Sequence, residues 1–110
     1  MSAIVVVEFS YEISRAELEE MALDFAENAN PIVDGLVWKL FLDQPKPGRS
    51  AGVYLFADTD AAQAYVDGPI VSGLRSTPGL SDVSAKAFEV LDEASLRTGA
   101  PLQTATAKRA

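Results

Sequence analysis

Few side chains in this 110-residue chain could do chemistry, and their types narrow what that chemistry is. There is no cysteine and no histidine. Disulfides, thiolate nucleophiles and Cys-ligated metals are therefore excluded. So are the usual general base, the usual zinc ligand and any Ser-His-Asp triad. Carboxylates, lysines, arginines, tyrosines, hydroxyls and the backbone remain. Among them Lys39 stands out, because it sits inside an apolar run, GLVWKLF. A buried ammonium is costly unless something compensates it, so Lys39 either faces a polar cavity or reaches an edge. In a cavity it would stabilise a phenolate or enolate, or act as an amine of lowered pKa. At an edge it would guard against unwanted strand pairing.

Trp38, the single tryptophan, and Tyr54 lie on the two strands of one predicted hairpin. Each joins an apolar body to a polar tip, which suits a pocket wall that also hydrogen-bonds an oxygen. Core packing is the plainer reading of both. Phe56 shares a predicted strand face with Tyr54, and Tyr65 on the following helix is either a core anchor or a pocket residue. Glu8 ends the first strand and is a candidate general base or a solvated carboxylate. Arg75, in a segment rich in Gly and Pro, could close over an acidic ligand. Lys86 repeats the case of Lys39 on the last strand, with a salt bridge across a dimer as a further option. Asp58 and Asp60 could hold a hard cation, but helix capping explains them more simply, so no metal site is expected. No glycine-rich phosphate loop is present.

These residues need elements to position them. The run 3–9, AIVVVEF, is β-branched and of strand length. Ser14 with Glu17 forms a capping box, and Leu18, Met21, Ala22, Phe25 and Ala29 fall at helical spacing opposite Glu19, Glu20, Asp24 and Glu27. Asn30-Pro31 should end that helix. Residues 35–42 form the second strand, in which Leu36, Trp38, Leu40 and Leu42 alternate with Val37, Lys39 and Phe41. A loop, 43–50, leads to the third strand, 51–57. Asp58 caps a short helix over 61–67, stopped by Gly68-Pro69. Residues 69–76 form another helical turn or a mobile lid, and 82–90 the last strand. The order is β-α-β-β-α-β, the ferredoxin-like α+β pattern with one antiparallel four-stranded sheet. Residues 1–98 make one domain, and 99–110 a flexible C-terminal tail.

In that topology both main helices cover one sheet face, and the second and fourth strands are the edges. Strands apolar on both faces, in so short a chain, imply that the other face is covered by a second copy. A homodimer packed sheet to sheet is expected. The formal net charge of −7 disfavours nucleic acid and anionic membranes as partners. No apolar run is long enough to span a bilayer, and residues 1–9 lack the features of a signal peptide, so a cytoplasmic location is expected.

Taken in order, GLVWKLF, then GVYLFAD followed by AYV, then AKAFEV resemble the mono-oxygenase family typified by the bacterial YdhR protein. The likeness runs over about residues 3–95 and rests on the joint order of modest motifs. It implies the dimeric α+β barrel superfamily, with a pocket between helices and sheet. By analogy with mono-oxygenases of that superfamily that need no cofactor, it implies oxidation of a hydroxylated aromatic or polyketide-like molecule by O₂. Such an enzyme has mainly to deprotonate an electron-rich phenol. Lys39 and Tyr54 would hold the anion, Trp38 would stack on it, and Glu8 or Arg75 would help manage charge. Haem-degrading relatives use a histidine ligand, which this chain lacks. A non-catalytic module binding a small apolar ligand, or an isomerase or cyclase needing no O₂, would use the same pocket.

Overall fold

The structure is a computed structural model describing residues 2–45 and 48–102. Four strands, β1 (Ala3–Tyr11), β2 (Leu36–Asp43), β3 (Arg49–Phe56) and β4 (Leu80–Glu89), form one sheet in the order β2-β3-β1-β4. Every neighbouring pair is antiparallel. Helices α1 (Arg15–Asp24), α2 (Thr59–Val66), α3 (Pro69–Arg75) and α4 (Asp92–Arg97) connect and follow the strands. This is the ferredoxin-like α+β fold, with β2 and β4 at the edges.

Local chemistry sets the boundaries. Ser14 caps α1 and forms a reciprocal box with Glu17, whose backbone N–H donates to Ser14 Oγ at 3.1 Å. Asp58 caps α2 by accepting from the Ala61 N–H at 2.8 Å, which gives that carboxylate a structural task. The segment read as a turn or lid is helix α3, with Pro69 in its first turn, where a missing N–H does no harm. The helix expected to stop at Asn30-Pro31 loosens earlier. A single π turn runs from Phe25 to Ala29, followed by a 3₁₀ turn from Asn30 to Ile32.

Strand parity divides the core. Ala3, Val5, Val7, Phe9 and Tyr11 of β1 point to one face, where they meet Tyr54 and Phe56 of β3 and the helical residues Leu18, Tyr65, Val71 and Leu74. The opposite face holds a smaller cluster around Val37, Leu55 and Leu102. Of the segment expected as a flexible tail, residues 103–110 lie outside the described residues, whereas Leu102 is packed against Val37 and Leu55.

One feature departs from simple alternation. The β2–β3 register shifts between Leu36 and Trp38, so Leu36 pairs with Phe56 but Trp38 pairs with Leu55. Val37 is the extra residue of a bulge. Leu36 therefore shares a face with Lys39 and Phe41, while Trp38, Leu40 and Leu42 point the other way. Counting by twos through the strand puts Leu36 and Trp38 on one face; the bulge separates them.

Candidate functional site

A cavity of about 230 Å³ lies between α1 and the helix-covered face of the sheet. It exists because α1 fully buries only Leu18 and stands off the sheet at its edge. Its walls are apolar, with Met21 from α1, Phe25 from the π turn that follows it, Phe41 from β2, and Ile70 and Leu74 from α3. Three polar groups enter at one end: Lys39, Tyr54 and Tyr65.

Lys39 and Tyr54 are cross-strand partners on this face. The Lys39 Nζ lies 3.9 Å from the Phe41 ring centroid, 4.5 Å from that of Tyr54 and 5.5 Å from that of Phe25. Gly52 makes this arrangement possible. A Cβ there would come within 3.0 Å of both Lys39 Cε and Tyr54 Cε1. Burial pushes the Lys39 pKa down to about 8. The ring faces pull in the other direction, since they favour the ammonium.

The Tyr54 and Tyr65 hydroxyls are 3.0 Å apart and buried. One donates to the other, and the second proton is free for a ligand oxygen. Burial raises the Tyr54 pKa far above its usual value, with the neighbouring Tyr65 adding to the effect. Burial raises Tyr65 as well. Both phenols are thus hydrogen-bond donors and not bases at ordinary pH.

The far end of the cavity is different. Asp43 Oδ2 accepts from the Tyr11 hydroxyl at 2.8 Å and lies 3.1 Å from Arg15 Nε. Arg15 also approaches Glu19 at 3.6 Å. Lys39 and Asp43 are four residues apart on one strand face, about 13 Å by strand rise. An elongated ligand would meet an amine and two phenols at one end and a paired carboxylate at the other.

The residues singled out in the sequence are thus distributed unevenly. Lys39, Tyr54 and Tyr65 come together in the cavity. Phe56 is wholly buried beneath them, its ring 5.5 Å from Tyr65 and 6.3 Å from Tyr54. Trp38 lies on the opposite sheet face with the Leu55 cluster, its Nε1 buried without a hydrogen-bond partner among the described residues. Glu8 also faces that side, 3.9 Å from Arg49 Nε. Lys86 is exposed there on edge strand β4. Arg75 is exposed at the end of α3, whose Ile70 and Leu74 line the cavity. Sequence reasoning passed over Phe25, Phe41, Gly52, Asp43, Tyr11 and Arg15. Parity from Lys39 would have found Phe41 and Asp43. The helical spacing that placed Phe25 on the buried face of α1 did not show that this face borders a void.

No cluster of three metal-ligating side chains occurs among the described residues, and no described helix is long and apolar enough to cross a membrane. Fold and site together define a ferredoxin-like α+β protein with a cavity between helices and sheet. Residues 4–101 match the family described as "Putative mono-oxygenase ydhR", and the chain belongs to that family. A search of curated proteins finds no match. Among solved structures, SnoaB, a cofactor-independent oxygenase from Streptomyces nogalater, superposes with a TM-score of 0.61 at 20% identity, covering 81% of this chain and 92% of that one. A putative antibiotic biosynthesis monooxygenase from Deinococcus radiodurans gives 0.59 at 16% identity, covering 79% and 91%. A dimeric ferredoxin-like protein of unknown function from Jannaschia sp. CCS1 gives 0.58 at 16% identity, covering 82% and 100%. At these identities the likeness is one of fold.

Proposed function

We propose that this protein is a cofactor-independent mono-oxygenase that oxidises a hydroxylated aromatic or polyketide-like molecule with O₂. The observation that carries the reading is the Lys39 amine, held among three aromatic rings without a carboxylate partner among the described residues, and opening onto an apolar cavity. A phenol bound with its oxygen at this end meets a base and the free hydroxyl proton of the tyrosine pair. Neutral Lys39 takes the phenolic proton, and the ammonium so formed rests on the ring faces. The Tyr54–Tyr65 pair donates to the phenolate oxygen. The electron-rich anion then reduces O₂ itself. One oxygen atom enters the ring and the other leaves as water, so a phenol and O₂ give a quinone and water with no outside reductant. The fold likeness to SnoaB, a cofactor-independent oxygenase, supports this reading.

The working unit we propose is a cytoplasmic homodimer. On the sheet face away from the cavity, Leu40, Leu42 and Phe88 are 52%, 45% and 54% exposed. Apolar side chains grouped on one sheet face call for a cover, and a second copy supplies one.

The test is oxygen uptake by the purified, metal-free protein against a panel of hydroxynaphthalenes, anthrones and hydroquinones. Uptake above the rate without protein, reduced by Lys39→Met and by Tyr54→Phe, is expected. Turnover that persists under nitrogen would point instead to an isomerase. Binding without turnover would point to a ligand-binding module.

A further inference from the structure

Lys39 has the surroundings of a nucleophile as well as those of a base. Its Nζ borders the cavity and is walled by Phe25, Phe41 and Tyr54. The cavity's two carboxylates are both engaged elsewhere. Asp43 is held by Arg15 and Tyr11, and Glu19 by Arg15. Among the described residues no carboxylate pairs with Lys39. Gly52 lies under the lysine stem, so the side chain crosses the sheet without obstruction.

We propose that Lys39 captures aromatic aldehydes that enter the cavity, forming an imine with them. The amine lone pair attacks the carbonyl carbon, and the C=O π pair moves to oxygen, which takes up a proton. The carbinolamine then loses water as the C=N bond forms. Amine and aldehyde give imine and one water, with no oxidant or reductant. The neighbouring Tyr54 and Tyr65 hydroxyls can pass a proton to the departing oxygen. The protonated imine is a cation like the ammonium it replaces, and the same three rings stabilise both. Desolvation in an apolar pocket is a recognised way to make a lysine nucleophilic, and burial lowers the pKa here in the required direction.

The capture uses the same amine as the oxygenase reading but needs neither O₂ nor a phenol. The experiment is incubation of the folded wild-type protein with 1-naphthaldehyde and sodium cyanoborohydride at pH 7 under nitrogen, followed by peptide mass mapping. Lys39 should be labelled at least about tenfold faster than free Nα-acetyl-lysine under the same conditions. Unfolding in urea before labelling should erase that preference. Labelling of Lys39 no faster than free Nα-acetyl-lysine, or a preference that survives urea, overturns the proposal. Oxygen uptake without labelling would sink only this inference, and labelling without oxygen uptake would sink only the oxygenase reading.

Discussion

Among single residues, Lys39 carries a charge that is a burden to the folded state. The Lys39 pKa is lowered by burial to about 8, against 10.5 unperturbed. A proton is therefore bound more tightly by the unfolded chain between those values, and this group's contribution to stability grows as pH rises from about 8 to about 10.5. Lys39→Met should thus stabilise the protein at pH 7 by roughly 1–3 kcal/mol, since it removes a desolvated cation and keeps the volume. The stability gap between variant and wild type should narrow as pH rises above 8. Urea melts at pH 7 and pH 9.5 measure both, and a Lys39→Met protein less stable than wild type at pH 7 would show that the rings outweigh the burial. The same substitution should lower turnover by about 10²–10⁴-fold, the usual loss on removing a general base. In the wild type, kcat/KM should climb through about pH 8 and then level off. Tyr54→Phe leaves the buried Tyr65 hydroxyl without its acceptor and should cost roughly tenfold in kcat/KM and about 1–3 kcal/mol in the melt.

At the scale of the element, the cavity is a product of imperfect packing that the sequence sets up in a few places. Gly52 is one. In Gly52→Ala the new Cβ would press at 3.0 Å on Lys39 Cε, the flexible part of a side chain, and on the Tyr54 ring. We expect a stability loss near or below about 1 kcal/mol, because the lysine can move aside, with a larger fall in turnover as the amine leaves its place. A melt and an activity assay on one preparation separate the two effects. The elements themselves were largely legible in the sequence. The capping box at Ser14, the stop at Gly68-Pro69 and the β-branched run of β1 are local signals, and local geometry follows them. Lys39 was legible too, as a charge among apolar neighbours. Trp38 was not, because a bulge at Val37 depends on how β2 pairs with β3 and leaves no mark on alternation. Phe25 and Asp43 were hidden for another reason. A stripe of apolar residues on α1 looks the same whether the helix seats on the sheet or stands off it. Only the assembled layers show that a void lies between them.

At the scale of the whole molecule, two different surfaces divide the work. The helix-covered face of the sheet holds the cavity, and the other face holds the exposed leucines of β2 and Phe88 of β4. If a second copy covers that face, light scattering at micromolar concentration should give about twice 11.7 kDa. Leu40→Asp with Leu42→Asp should shift the mass toward that of one chain while leaving the cavity lining from Lys39, Tyr54 and Tyr65 in place. A wild-type protein that stays monomeric would remove the dimer from the account and leave the site standing. The central claim concerns what the cavity does with O₂, and labelled oxygen tests it most directly. The purified, metal-free protein would be supplied with ¹⁸O₂ and an electron-rich naphthol, and the product's mass recorded. A quinone carrying one labelled oxygen atom, formed by the wild type and lost in Lys39→Met, is expected. A product without label, or a labelled product formed equally well by Lys39→Met, would contradict it.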